Sequence, residues 1–288
     1  MPDTQHPGGR PAFGERLAAA VERRGPLCVG IDPHPALLAS WGLTDDAEGL
    51  RRFSAAVVEA VADVAAAVKP QVALYERHGS AGIAALEELL ADARGAGVLT
   101  IADAKRGDIG STMAAYAQAW LGETSPLAAD AVTLSPYLGF ESLRPALDLA
   151  AQTGRGVFVL ALTSNPEGAS VQHVGGEASV ARRIVEAAGA ENRRYSGADA
   201  GHGSVGLVVG ATVGDAVARL GLDLAAMGGP VLAPGLGAQG ATAEMMRETF
   251  GAAYPRVLGT SSRDILAAGP DRAKVRARAE RTLAGLAS

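Results

Sequence analysis

The chain has 288 residues, 48% of them hydrophobic, and sets 26 basic against 31 acidic side chains for a net charge of −5. That is enough apolar material for one large core, and an acidic balance without a basic stripe or interleaved aromatics argues against nucleic acid as a partner. No apolar run approaches the length of a membrane span and no signal peptide opens the sequence, so a cytoplasmic protein is expected.

Residues 1–11 are rich in Pro and Gly and read as a disordered tail, leaving 12–288 as one domain. From there short apolar runs alternate with longer Ala-rich amphipathic stretches. The runs at 27–32, 68–74, 98–103, 131–134, 157–162, 205–210, 231–233 and 257–259 read as strands. The stretches at 50–67, 82–96, 112–121, 141–151, 178–189, 213–220 and 242–250, with another after Pro270, read as helices. The strands are continuously apolar rather than alternating, which means both faces are covered, as in a parallel sheet. Eight such units predict a single α/β domain, a closed (β/α)8 barrel. The first strand holds the lone cysteine, Cys28, within Leu27-Cys28-Val29-Gly30-Ile31, where it reads as a buried inert thiol. The stretch 165–204 is too long for a simple strand-to-helix loop and reads as an insertion after strand five, with 196–204 small, polar and mobile.

Charged and polar residues collect where these strands end. Asp32 closes the first, Lys69 stands in the second before Pro70, and Ser135-Pro136 and Thr163-Ser164-Asn165-Pro166 close the fourth and fifth. The third runs into Asp103-Ala104-Lys105-Arg106-Gly107-Asp108. In an extended segment Asp103 and Lys105 point to the same side. A lysine between carboxylates acts as an electrostatic clamp and proton donor rather than as a nucleophile. Taken singly, Asp32 reads as a turn residue before proline and Lys69 as a surface lysine. In a barrel, however, all these strand ends meet on one face, the face that carries active sites.

Gly235-Leu236-Gly237-Ala238-Gln239-Gly240 has the glycine spacing of a dinucleotide-binding loop. It follows the seventh strand rather than the first, and no acid stands at the end of the next strand, so a nicotinamide site is not expected. The same loop, with Gly259-Thr260-Ser261-Ser262-Arg263 after it, fits a phosphate site of the kind barrels build after strands seven and eight. Gln239 and Arg263 are the side chains placed on the phosphate oxygens.

Gly30-Ile31-Asp32-Pro33, Val68-Lys69-Pro70, the 103–108 hexapeptide, Thr163-Ser164-Asn165-Pro166, the 233–240 loop and Ser261-Ser262-Arg263 together resemble the orotidine 5′-phosphate decarboxylase family, in its order and over nearly the whole chain. The likeness is to its longer, type 2 subgroup. The resemblance implies conversion of orotidine 5′-phosphate to uridine 5′-phosphate and carbon dioxide in pyrimidine synthesis, by a barrel homodimer that uses no metal or organic cofactor. It implies that Asp32 and Lys69 bind the ribose and belong to a charge network, and that Asp103 faces the leaving carboxylate. It implies that Lys105 stabilises and then protonates the carbanion. Asp108, with Ile109 and Thr112, would reach the neighbouring subunit's site. Ser164 would bond the pyrimidine edge, and Gln239, Arg263 and the Ser262 N–H would hold the phosphate. Two alternatives remain: a magnesium-dependent decarboxylase or aldolase of sugar phosphates on the same barrel, which places an acidic ligand where this chain has Lys69, and a non-catalytic phosphosugar-binding barrel.

Overall fold

Each apolar run becomes a strand of one closed, parallel sheet. The computed structural model describes residues 9–196, 202–237 and 240–287. The strands are β1 (Leu27–Ile31), β2 (Ala67–Pro70), β3 (Leu99–Arg106), β4 (Ala131–Leu134), β5 (Gly156–Leu162), β6 (Val205–Val209), β7 (Val231–Pro234) and β8 (Val257–Ser261). They pair in chain order, and β8 returns to β1 with Leu27 opposite Gly259, which closes the barrel. Around it lie α1 (Phe13–Arg24), α2 (Pro35–Ser40), α3 (Ala47–Val61), α4 (Ala73–Glu76), α5 (Gly79–Gly95), α6 (Gly110–Leu121) and α7 (Arg144–Gln152). The outer layer continues with α8 (Ala169–Gln172), α9 (Val180–Ser196), α10 (Ala216–Arg219), α11 (Ala243–Phe250), α12 (Arg263–Leu266) and α13 (Arg272–Ala287).

Alternation along the strands divides the core into two. Val29, Val68, Val132, Val157 and Val231 pack outward against the helices, while Cys28, Ala67, Ile101, Phe158, Leu232 and Leu258 fill the barrel interior. Cys28 is fully buried there, and burial pushes its thiol up to about 12. Helix α1 was not foreseen, because its apolar residues precede the first strand and belong to no strand-helix unit. It plugs one end of the barrel. Phe13, Leu17 and Ala20 join the interior cluster, with the Phe13 ring edge-on to Phe158 at 5.9 Å. The Arg16 guanidinium locks the plug by pairing with Asp130 at 2.5 Å and donating to the Gly154 carbonyl at 3.0 Å. Phe13→Ala is therefore expected to lower unfolding free energy by about 3–5 kcal/mol, the usual cost of emptying a buried aromatic site. Denaturant melts check this, and a loss under 1 kcal/mol would mean the plug is not part of the core.

Other elements depart from the sequence expectation as well. The second strand stops at Pro70 instead of 74: proline offers no N–H to the ladder, and Val72 and Tyr75 bury themselves from a helical turn instead. The sixth helix shrinks from 213–220 to the single turn α10, between Gly214 and Gly221, which both take positive φ. Within the 165–204 stretch α9 takes residues 180–196 as an ordinary outer helix against β5 and β6, so the part before it that departs from a strand-helix unit is 165–179. Of the small polar segment, residues 197–201 lie outside the described residues, as do residues 1–8 of the expected tail.

Candidate active site

The strand ends assemble a charge row whose centre is Asp103. Lys69 of β2 meets one carboxylate oxygen at 2.7 Å and Lys105 meets the other at 2.6 Å. Gln71 donates to the first oxygen at 3.3 Å and the Thr133 hydroxyl of β4 donates to the second at 3.0 Å. Burial works to raise the Asp103 carboxyl, yet the two ammonium groups and their hydrogen bonds hold it well below the usual carboxylate range. Burial likewise works against the charge on Lys69, and the Asp103 and Asp32 carboxylates overcome it and drive that lysine up. Lys69 is thus buried rather than on the surface, where the sequence taken singly put it.

The two lysines differ in reach. The Lys69 side chain is 6% exposed and the Lys105 side chain 47%, so Lys105 is the more open of the two to incoming ligand. Its backbone is unusual. Lys105 has φ +49°, and among the described residues it alone is a non-glycine with positive φ. A side chain there costs about 1–3 kcal/mol, the kind of strain that clusters at active sites. β3 also runs further than the sequence suggested, to Arg106 instead of 103, because a bulge between Ala102 and Arg106 lets it re-pair with β4. Gly107 then leaves the barrel so close to Ser135 that a Cβ would lie 2.3 Å from the Ser135 carbonyl oxygen.

A cavity of about 470 Å³ opens above the row, lined by Asp32, Lys69, Gln71, Asp103 and Lys105 on one side and by Pro234, Gly235, Leu236, Ser262 and Arg263 on the other. His34, Thr163 and Thr260 also stand on its wall, and the apolar Leu160, Val208 and Leu232 complete it. Asp32 Oδ1 and Ser262 Oγ are buried without a hydrogen-bond partner, so polar capacity at this site is unspent. Gly30 makes room for Ser262: a Cβ on it would stand 2.7 Å from the Ser262 Cβ. The glycine loop after β7 turns through Gly235, Gly237 and Gly240, all at positive φ.

Of the residues singled out from sequence, the cavity brings together Asp32, Lys69, Asp103, Lys105, Ser262 and Arg263. Asp108 turns back to accept a hydrogen bond from the Ile109 N–H at 2.8 Å, and neither it, Ile109 nor Thr112 lines this cavity. Ser164 is exposed and outside the lining, with its neighbour Thr163 inside. Gln239 lies outside the described residues. Gln71 and Thr133 were missed, although both follow the alternation that found Asp103 and Lys105: Gln71 stands two beyond Lys69, and Thr133 interrupts an apolar strand.

The model of the orotidine 5′-phosphate decarboxylase / HUMPS family matches residues 25–278, which span every strand and the whole charge row. The chain belongs to this family. A Salinispora arenicola protein named orotidine 5′-phosphate decarboxylase is 58% identical over 275 residues, covering 95% of this chain and 96% of its own. A protein of the same name from Streptomyces coelicolor is 54% identical over 272 residues, covering 93% and 95%. A crystal structure from Streptomyces avermitilis, assigned to the same enzyme, superposes with a TM-score of 0.90 at 52% identity over 97% of both chains. The matched region contains the Lys69–Asp103–Lys105 row, and the lysine of its second strand is buried.

Proposed function

We propose that this protein decarboxylates orotidine 5′-phosphate to uridine 5′-phosphate and carbon dioxide. The observation that carries the reading is the Lys69–Asp103–Lys105 row, two cations sharing one buried carboxylate beneath a cavity, in a chain whose full-length relatives bear this enzyme's name. With the pyrimidine in the cavity, its carboxylate lies toward Asp103. The carbon–carbon bond breaks, carbon dioxide leaves, and the electron pair stays on the ring carbon, facing the Lys105 ammonium. That ammonium stabilises the developing charge from a fixed position and then delivers the proton that completes the product, recovering one from water afterwards. Asp103 is held anionic by both lysines, so it keeps Lys105 oriented through the cycle. Asp32 serves the ribose, Ser164 the pyrimidine edge after the loop closes, and Gln239, Ser262 and Arg263 the phosphate. Binding energy from the distant phosphate orders the loops and favours the transition state over the ground state.

The test is spectrophotometric loss of orotidine 5′-phosphate by purified, EDTA-treated protein. Turnover supports the reading, and no loss of orotidine 5′-phosphate, together with magnesium-dependent activity on a sugar phosphate, supports the rival.

The working form is a cytoplasmic homodimer with composite sites. Asp108, Ile109 and Thr112 lie outside the lining of their own cavity, and Ile109, Tyr137 and Leu138 on the loops after β3 and β4 stand 62%, 82% and 55% exposed, an apolar surface suited to a second copy. Lys105→Ala and Asp108→Ala homodimers should both be nearly inactive. Equal mixing with subunit exchange leaves half the dimers mixed, each with one intact site, so activity should return to about a quarter of wild type. Exchange verified by mass spectrometry with no return of activity would place Asp108 in its own subunit's site.

A further inference from the structure

We infer that Arg106 is the positioning residue that holds the β3 bulge and thereby aims Lys105, an inference that rests on the decarboxylase reading above. Lys105 occupies a backbone conformation that a side chain avoids, so neighbouring groups must over-determine it. Between Ala102 and Arg106 β3 advances four residues while β4 advances two, from Val132 to Leu134, so the intervening residues bulge out of register. Two groups grip the bulge from opposite sides. Inside the barrel, the Lys105 N–H donates to the Thr133 hydroxyl at 2.9 Å. Outside it, Arg106 reaches back and donates through Nη1 to the Ala104 carbonyl, the peptide preceding Lys105, at 3.2 Å.

That reach is itself fixed at three points. The other arm of the guanidinium, Nη2, pairs with the Glu76 carboxylate of α4. The guanidinium carbon stands 5.6 Å from the Tyr116 ring centre and 5.7 Å from that of Trp120, both on α6. The Arg106 backbone carbonyl accepts from the Ser135 N–H at 2.8 Å, tying the bulge's far end to β4. Arg106 thus clips the strand carrying the active-site lysine to the helix layer on either side of it. It does not line the cavity, so it acts only through Lys105. A planar fork on aromatic faces is what this arrangement needs, and lysine cannot supply both arms.

The experiment compares wild type, Arg106→Ala, Arg106→Lys and Glu76→Gln, measuring kcat on orotidine 5′-phosphate, the dissociation constant of uridine 5′-phosphate, and the melting temperature. Misplacing a catalytic group by about an ångström costs about 100-fold, so Arg106→Ala is expected to lose about that much kcat while product affinity moves less than about threefold. Arg106→Lys should recover under about a tenth of wild-type kcat. Glu76→Gln, which keeps shape and stacking, should lose about tenfold and covers the case in which Arg106→Ala does not fold. Product affinity falling as far as kcat would show general damage to the site and overturn the inference, as would kcat within about threefold of wild type in folded Arg106→Ala or unchanged kcat in Glu76→Gln. A wild-type enzyme without turnover would instead count against the decarboxylase reading itself.

Discussion

Lys105→Ala is expected to lower kcat by about four orders of magnitude or more. Two functions leave with one side chain. Removing a positioned proton donor typically costs about 10²–10⁴-fold and removing a preplaced electrostatic stabiliser about 10²–10³-fold. The variant should fold, because Asp103 keeps Lys69 at 2.7 Å, Gln71 at 3.3 Å and the Thr133 hydroxyl at 3.0 Å, and so is not left as an unpaired buried charge. Alanine also tolerates positive φ no better than lysine, so backbone strain is unchanged and the loss reads the ammonium. Affinity for uridine 5′-phosphate should change far less than kcat, since the phosphate loops are untouched. Retention of a tenth of wild-type kcat would sink the assignment of Lys105 as the proton donor.

The barrel was legible because it rests on repetition: eight apolar runs, each followed by an amphipathic stretch, leave few other closed arrangements. The charge row was legible for a related reason, since alternation puts Asp103 and Lys105 on one side and parallel strands bring their ends together. What sequence hid were matters of local backbone. Nothing in Ala104-Lys105-Arg106 announces that β3 continues through the charges, or that Lys105 takes positive φ, because the bulge is set by the register with β4 and by Arg106 gripping it from outside. Lys69 illustrates the limit of reading residues singly. A lone lysine is most often at the surface, and it is buried here because two carboxylates, Asp32 and Asp103, come from other strands to meet it. Helix α1 escaped notice because what it packs against is the barrel interior, which exists only after the sheet closes.

Arg263→Ala is expected to reduce kcat/KM on orotidine 5′-phosphate by about 30- to 1,000-fold, about 2–4 kcal/mol, as a charge-assisted contact to phosphate is lost. Arg263 sits on the cavity wall beside Ser262, across from the charge row, and its guanidinium makes no hydrogen bond or ion pair among the described residues. An arginine with no such partner among the described residues can be removed without unravelling the site, so melting temperature should stay within a few degrees of wild type. The decisive comparison uses the nucleoside lacking phosphate. If Arg263 acts on the phosphate alone, wild type and Arg263→Ala should process orotidine at the same slow rate, because neither has that contact to make. A large difference between them on orotidine would show that Arg263 reaches the sugar, the base or the closing loop, and the phosphate assignment would have to move to other groups at this end of the cavity.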